Sequence, residues 1–209
     1  MRDDYGRIAP WYDLLLDRFN RDLRGIGFNL FHPAERTAVL EVGCGTGKQL
    51  AFYRAHGCRV TGIDLSPGML QVARPRLDGR GLVCRGDAAR MPFPDGAFDL
   101  VLATLVLHEM DPADRLAVME DMTRVLNPEG RIGIIDYHPA ASRTIKGFWA
   151  STFIRGIERA AGRRHYTNYR YFITDGGIPT LAGRHGLVVE RQKRVSGGNI
   201  GIYQLRRTH

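Results

Sequence analysis

The stretch Val39-Leu40-Glu41-Val42-Gly43-Cys44-Gly45-Thr46-Gly47 decides the fold. Its apolar residues around one acid indicate a buried strand of a parallel sheet that is covered on both faces. Glycines at every second position then let the chain turn sharply and approach a ligand closely. Residues 48–56 carry apolar side chains at a spacing compatible with a helix. The stretch therefore predicts a strand, a glycine loop and a helix, the unit that holds a nucleotide-like ligand at the carboxyl end of a strand.

The residues around the glycines argue against a phosphate ligand. A phosphate-binding P-loop needs Gly-x-x-x-x-Gly-Lys-Ser/Thr, but Val42 stands in place of the first glycine and Gln49 in place of Ser/Thr. A dinucleotide site needs Gly-x-Gly-x-x-Gly, but Lys48 occupies the third glycine position. Glu41 would also repel a pyrophosphate at the start of the helix. An acid directly before the loop favours a ligand with a positively charged end.

The rest of the chain alternates short apolar runs with helical patterns. Five such strands precede residue 137, which predicts an α/β fold with a mostly parallel sheet. Gly197-Gly198-Asn199 then joins two further strands as a hairpin. We therefore expect a single Rossmann-like domain, with a seven-stranded sheet that ends in an antiparallel hairpin strand and helices on both faces. The predicted strands are residues 38–42, 59–64, 81–87, 98–103, 131–136, 187–195 and 200–206.

Composition limits the classes of protein to consider. The 209 residues suffice for one domain with a core. We find neither a signal peptide nor an apolar run of the ~20 residues that span a bilayer, so we expect a cytoplasmic protein. The three cysteines lack metal-ligand spacing and are expected to be reduced and buried. The net charge of +8 is uneven, because residues 137–209 hold 13 Lys/Arg and only 3 Asp/Glu. Such a basic part can steer anionic substrates, lipid headgroups or nucleic acid, against the alternative of a compositional bias, since 27 of the 30 basic residues are Arg.

Several segments together resemble the class I S-adenosylmethionine-dependent methyltransferases. The glycine loop with Glu41 resembles their first motif, and the later segments follow in the family's order. Within that family, the chain is most similar to the ubiquinone/menaquinone-biosynthesis-like small-molecule group. The resemblance covers residues 5–136 well, residues 174–207 in pattern only, and residues 137–173 hardly at all. The matching later segments are Asp64, Asp87-Ala88, 91–99 and 124–131.

The resemblance implies S-adenosylmethionine as the cofactor and assigns residues to it. Glu41 would meet its positive end, Asp64 both ribose hydroxyls, and Asp87 the adenine amino group. Asp64 lies 17 residues beyond Gly47, near the spacing of about 20 residues that a ribose-binding acid shows. The full predicted set is Glu41, Gly43, Cys44, Gly45, Thr46, Gly47, Asp64, Leu65, Met69, Asp87, Ala88 and Leu105.

Catalysis should depend mainly on orientation, because a sulfonium already activates the methyl group that is transferred. His108 follows the fourth strand and is the best candidate for a base, against the alternative of a histidine that is hydrogen-bonded at a helix start. Tyr12 matches a tyrosine that closes over cofactor and substrate in the family, against the alternative of core packing. No acid precedes Glu109 where a catechol-type enzyme holds Mg²⁺, so we expect no metal. Residues 103–106 also lack the motif of amino-methylating enzymes.

The family resemblance divides the chain into parts of one domain. These are an N-terminal helical cover (1–32), a cofactor-binding core (38–136), a substrate-cover insertion (137–173), and the last helix with two strands (174–209). The expected function is methyl transfer to a small molecule such as a quinone precursor, a lipid headgroup or a thiol. Because residues 137–209 are basic, this acceptor is expected to be acidic or membrane-associated. We expect no nucleic acid as partner. The alternatives are a nucleic-acid or protein methyltransferase that uses the basic C-terminal part, and a non-catalytic protein that binds S-adenosylmethionine.

Overall fold

One seven-stranded sheet organises the computed structural model, which describes residues 21–139, 152, 154–156, 158–159 and 162–208. The strand order is β3-β2-β1-β4-β5-β7-β6. The pairs among the first five strands are parallel, whereas β7 runs antiparallel to both β5 and β6. The predicted fold class is therefore confirmed. The strands are β1 (Ala38–Val42), β2 (Arg59–Asp64), β3 (Leu82–Arg85), β4 (Phe98–Thr104), β5 (Leu126–Tyr137), β6 (Leu187–Val195) and β7 (Ile200–Arg207).

The helices begin where the sequence offers a start signal. The Ser66 hydroxyl accepts a hydrogen bond from the Met69 amide at 3.1 Å, and Pro67 takes the first helical position of α3. None of the described helices is long and apolar enough to cross a membrane. The described helices are α1 (residues 21–31), α2 (Lys48–Ala55), α3 (Pro67–Leu77), α4 (Pro112–Val125), α5 (Arg163–Thr174) and α6 (Gly177–Arg184), with a 3₁₀ turn at Leu107–Glu109. The described residues between 152 and 159 are also helical.

The sheet separates two apolar cores. Side chains alternate along a strand, so Leu40 and Val42 join one core while Val39 joins the other. The first core contains buried residues of α4, α5 and α6, and the second contains those of α1, α2 and α3. Glu41 lies two residues after Val39, so its side chain points to the same face of the sheet, which α1 and α2 cover. This alternation places the Glu41 side chain on the face of the sheet that α1 covers.

Helix α1 packs closely on the sheet through small residues. A Cβ added at Gly133 in β5 would lie 2.7 Å from both Phe31 and Leu102 side-chain atoms. A Cβ added at Gly27 in α1 would lie 3.0 Å from the Ile135 side chain. The described part of the N-terminal segment thus lies against β4 and β5. Tyr12 lies outside the described residues.

Some element bounds differ from the predicted ones. Strand β5 begins at Leu126 instead of residue 131, with a register shift opposite Phe98 to Leu100. Residues 127–130 form an irregularity of that strand, in which the Asn127 side-chain amide donates to Asp99 at 2.5 Å. Strand β3 is shorter than predicted, and α6 begins at Gly177 instead of residue 175. All three cysteines are free thiols, of which Cys44 and Cys58 are buried.

We predict that Gly62→Ala destabilises the fold and disturbs the glycine loop. An added Cβ would lie 2.6 Å from both the Cys44 Sγ and the Leu50 side chain, so β2 must move away from the loop. Overpacking of this kind costs about 1–3 kcal/mol of unfolding free energy. Urea unfolding measures the cost. The control is Gly25→Ala in α1, where no atom lies within 4 Å and alanine should stabilise the helix by up to ~1 kcal/mol. Equal stability of the Gly62 variant and the wild type would contradict the packing argument.

Candidate cofactor and acceptor site

The glycine loop is held on the end of β2. The amides of Gly43 and Cys44 both donate to the Ile63 carbonyl, at 2.9 and 3.1 Å. Gly43, Gly45 and Gly47 all adopt a left-handed backbone, with φ of 67°, 50° and 73°. A Cβ at Gly43 would also lie 2.8 Å from Val106. The loop therefore requires glycine both for its backbone and for its close approach to the turn after β4.

Glu41 is a buried carboxylate at the end of β1. Only 4% of the residue is exposed, and its Oε2 has no hydrogen-bond partner among the described residues. Burial and the nearby Asp64 raise the pKa of Glu41 well above its usual range, while Arg24 of α1 and the Leu50 amide partly offset the shift. A buried acid with a free oxygen is costly unless a ligand pairs with it. A cationic group bound at the glycine loop would supply that partner.

Two further acids follow the next two strands. Asp64 ends β2 and accepts from the Gly45 amide and the Ser66 amide, both at 2.8 Å. Asp87 lies just beyond β3, is exposed, and accepts from the Ala89 amide at 2.9 Å. The parallel register places Asp64 beside Arg85, so both acids lie at the carboxyl edge of the sheet. The structure brings together the acids that the sequence marked.

The remaining predicted cofactor residues border the same edge. Cys44 and Thr46 are buried within the loop, and Met69 is buried near the start of α3. Leu65 is half exposed at 50%, and Ala88 is partly buried. Leu105 has φ of 52°, a left-handed backbone that costs a leucine roughly 1–3 kcal/mol, and its amide donates to the Ile135 carbonyl at 2.7 Å. Strain of this kind tends to occur at functional sites, and no residue type in the sequence signalled it.

His108 lies in the 3₁₀ turn after β4 and is oriented by Asp136 at the end of β5. Because a carboxylate only accepts, the His108 Nδ1–H donates to Asp136 Oδ1 at 2.7 Å. The second oxygen of Asp136 accepts from the amides of Leu107 and His108, at 3.1 and 3.3 Å. Burial lowers the pKa of His108, but Asp136 and the nearby carboxylates outweigh it and raise the pKa above its ordinary value. This arrangement leaves Nε2 of His108 as the ring atom that can meet a ligand.

Buried Arg115 braces the turn that carries His108. Its guanidinium donates to the carbonyls of Leu107 and Met110, at 2.8 and 2.7 Å, and lies 4.9 Å from the centre of the Phe172 ring. Asn168 of α5 donates to the Glu109 carbonyl from the other side, at 2.8 Å. The turn is therefore fixed by α4 and by α5 together. The sequence offered no signal for either residue.

The segment expected to cover the substrate contributes further polar groups beside His108. Glu158 is buried and accepts from the Tyr137 hydroxyl at 2.8 Å. Its carboxylate oxygens lie 3.7 Å from His108 Nε2 and 2.6 Å from His165 Nε2. The rings of Tyr137 and Tyr169 flank His108, with centroids 4.5 and 6.4 Å away. His138 lies at a different place, where its Nδ1 is 2.5 Å from the Tyr203 hydroxyl.

Comparison with known proteins agrees with this geometry. A profile of the methyltransferase domain family matches residues 40–134. Demethylmenaquinone methyltransferase of Thermus thermophilus is 37% identical over 144 residues, which are 65% of this chain and 64% of that protein. An uncharacterized methyltransferase of Synechocystis is 31% identical over 206 residues, which are 94% of this chain and 92% of the relative.

The fold is likewise that of a solved methyltransferase. The crystal structure of a SAM-dependent methyltransferase from Aquifex aeolicus superposes with a TM-score of 0.64 at 20% identity, covering 87% of this chain and 88% of that one. The profile, the relatives and the fold confirm the enzyme class and the cofactor predicted from the sequence. The chain therefore belongs to the class I S-adenosylmethionine-dependent methyltransferases.

Proposed function

We propose that this chain methylates a small aromatic acceptor, such as a quinone precursor, at the carboxyl ends of β4 and β5. The rings of Tyr137, His108 and Tyr169 form an aromatic wall there, with centroids 4.5 to 6.4 Å apart. A relative that shares 37% identity carries the name demethylmenaquinone methyltransferase. A lipid headgroup or a thiol, the other acceptors considered, needs no aromatic wall. The chain spans 64% of that relative's length. The acceptor of this chain is therefore a proposal and is not taken over from the relative's name.

The observation that carries the proposal is the unpartnered oxygen of buried Glu41. S-adenosylmethionine supplies a methyl group on a cationic sulfur, next to an amino-acid end that bears an ammonium group. We propose that Glu41 pairs with this positively charged end, which offsets the cost of the buried charge. Its Oε2 lies beside the glycine loop without a hydrogen-bond partner among the described residues. A phosphate ligand would instead face a repelling charge at this position.

We further propose that the other acids hold the nucleoside. Asp64 would bind the ribose while its amide contacts with Gly45 and Ser66 fix the loop, and Asp87 would bind the adenine. The other proposed contacts lie along the same edge of the sheet and in the glycine loop. They are Gly43, Cys44, Gly45, Thr46, Gly47, Leu65, Met69, Ala88 and Leu105.

His108 is proposed as the catalytic residue that activates the acceptor. It lies just after β4, the strand next to β1, where Asp136 at the end of β5 holds it, and its Nε2 lies among groups of the cover. Correct placement of acceptor and methyl donor supplies much of the rate of such a transfer. The role of Tyr12 and the cytoplasmic location stay predictions, because the described residues do not bear on them.

We predict that Glu41→Gln weakens the binding of ligands that carry the amino-acid end. Loss of a charged hydrogen bond should lower the affinity for S-adenosylmethionine and S-adenosylhomocysteine about 10- to 100-fold. Affinity for methylthioadenosine, which lacks that end, should change little. Calorimetric titration of the three ligands measures the difference.

Asp64→Asn serves as the matched comparison for this experiment. Its proposed partner is the ribose, so affinity should fall for all three ligands, methylthioadenosine included. An equal loss for every ligand in the Glu41 variant would refute the assignment of Glu41 to the positively charged end.

We predict that His108→Gln slows methyl transfer by about 100-fold or more, because groups that act on the reacting atoms typically contribute that much. Asp136→Asn should slow it less, since the imidazole is retained and loses only its orientation. S-adenosylhomocysteine affinity, measured in parallel, should stay unchanged in the His108 variant. Wild-type turnover of an aromatic acceptor by the His108 variant would exclude the catalytic role.

The substrate-cover insertion, residues 137–173, lies in the basic part of the chain, which suggests that the acceptor is acidic or membrane-associated. Arg163 is exposed at the start of α5, and Arg164 beside it pairs with Asp111. We predict that Arg163→Ala raises KM for an acidic acceptor about 2- to 5-fold, as expected for an exposed charge. Added salt should reduce the difference by screening.

Arg80→Ala is the control for this charge effect, because Arg80 precedes β3 and lies at the opposite, amino-terminal edge of the sheet. An unchanged KM for acidic acceptors in the Arg163 variant at low salt would contradict an acidic substrate.

A further inference from the structure

The His108 side chain meets those of Glu158 and His165, which follow about 50 residues later in the chain, beside the proposed acceptor site. Ligand atoms of His108, Glu158 and His165 all lie within 4.8 Å of one another. The closest pair is Glu158 Oε2 and His165 Nε2, at 2.6 Å, and Glu158 Oε1 lies 3.7 Å from His108 Nε2. Ligands of one zinc ion lie about 2.0–2.2 Å from it and hence roughly 3–3.5 Å from each other. Small side-chain adjustments therefore suffice for the three to surround one ion.

The remaining polar atoms of two of these side chains are already held by outer partners. Asp136 fixes His108 through Nδ1, which leaves the Nε2 lone pair free to bind. The Tyr137 hydroxyl donates to Oε1 of Glu158, and Oε2 of the same carboxylate faces His165 Nε2 at 2.6 Å. Metal-binding proteins orient their ligands in this way, with a carboxylate or hydroxyl behind each ligand.

Charge and burial point in the same direction. Asp136 is fully buried and Glu158 is 2% exposed, and both lie near the His108 ring in a dry environment, Asp136 at Nδ1 and Glu158 3.7 Å from Nε2. His108 is 3% exposed, and His165 is partly buried. One divalent cation balances both carboxylates while the imidazoles are neutral, the form in which they bind a metal. Glu109, 4.0 Å from His108 Nε2, adds further negative charge near this position.

We propose that His108, Glu158 and His165 bind a divalent first-row metal ion of the Zn²⁺ type. Two histidines and one carboxylate form a three-ligand set that leaves a fourth position open. On binding, each imidazole nitrogen gives up any proton to solvent, and no bond of the chain breaks. The ion joins the cover to the turn after β4. Its open position would take an oxygen of the acceptor, so that His108 acts on the acceptor through the ion; this role rests on the proposed function, whereas the binding itself does not.

The test uses the full-length protein after treatment with a chelator. Zn²⁺ is titrated calorimetrically, and Co²⁺ serves as a probe whose visible absorption bands report coordination by nitrogen and oxygen. We expect one ion per chain. Glu158→Gln and His165→Gln remove ligands and should weaken binding by more than about 100-fold, since outer-partner changes alone cost 10- to 100-fold. Tyr137→Phe should weaken it by about 10-fold and keep the fold.

His56→Gln and Glu120→Gln are the matched controls, because both residues are exposed and lie outside the cluster. Zn²⁺ affinity and the Co²⁺ spectrum should equal those of the wild type in both. The proposal is overturned if the wild type binds no ion more tightly than the ligand variants, or if the Co²⁺ bands persist when Glu158 and His165 are replaced. S-adenosylhomocysteine binding and turnover are measured on the same samples. Turnover without metal binding would reject the metal site alone, and metal binding without turnover would reject the proposed function alone.

Discussion

Parallel pairing of the first five strands is the constraint on which the site depends. Each of these strands ends at the same edge of the sheet, so the residue that follows each strand meets the residues that follow its neighbours. Glu41, Asp64 and Asp87 reach this edge from β1, β2 and β3, and Asp136 reaches it from β5. The backbone alone thus gathers acids that lie far apart in the sequence. Their charges then determine which ligands the edge can accept.

The two halves of the edge balance their negative charge differently. On the β1–β3 side, Asp64 accepts from loop amides, whereas Oε2 of buried Glu41 has no hydrogen-bond partner among the residues that the structure describes. On the β4–β5 side, Asp136 and Glu158 face two imidazoles. A cationic ligand is proposed to balance the first half. The carboxylates of the second half have imidazole partners within the described part of the chain.

The sequence predicted where the acids of the β1–β3 side lie, because that side depends on local order, and their role in cofactor binding stays a prediction. The strand, the glycines and the acid of the first motif lie within nine residues, and Asp64 and Asp87 follow their own strands directly. The acceptor half was predicted only at His108. Glu158 and His165 come from a segment without strand–helix rhythm, and Arg115 looked like an ordinary residue of an amphipathic helix. The strain at Leu105 had no signal, since its φ of 52° is imposed by the turn and not by the residue type.

This difference has a physical origin in how each half is assembled. The hydrogen bonds of the acceptor half join residues 28 positions apart for His108 and Asp136, and 59 apart for Asn168 and Glu109. Those that the backbone amides of the loop donate join residues about 20 apart or fewer, across one strand–helix–strand unit. Contacts over such a unit are dictated by handedness and register, which sequence patterns reveal. Contacts from the cover are set by side-chain packing of α5 on α4, through Phe172 and Arg115, so the acceptor end can change its chemistry while the cofactor loop stays the same.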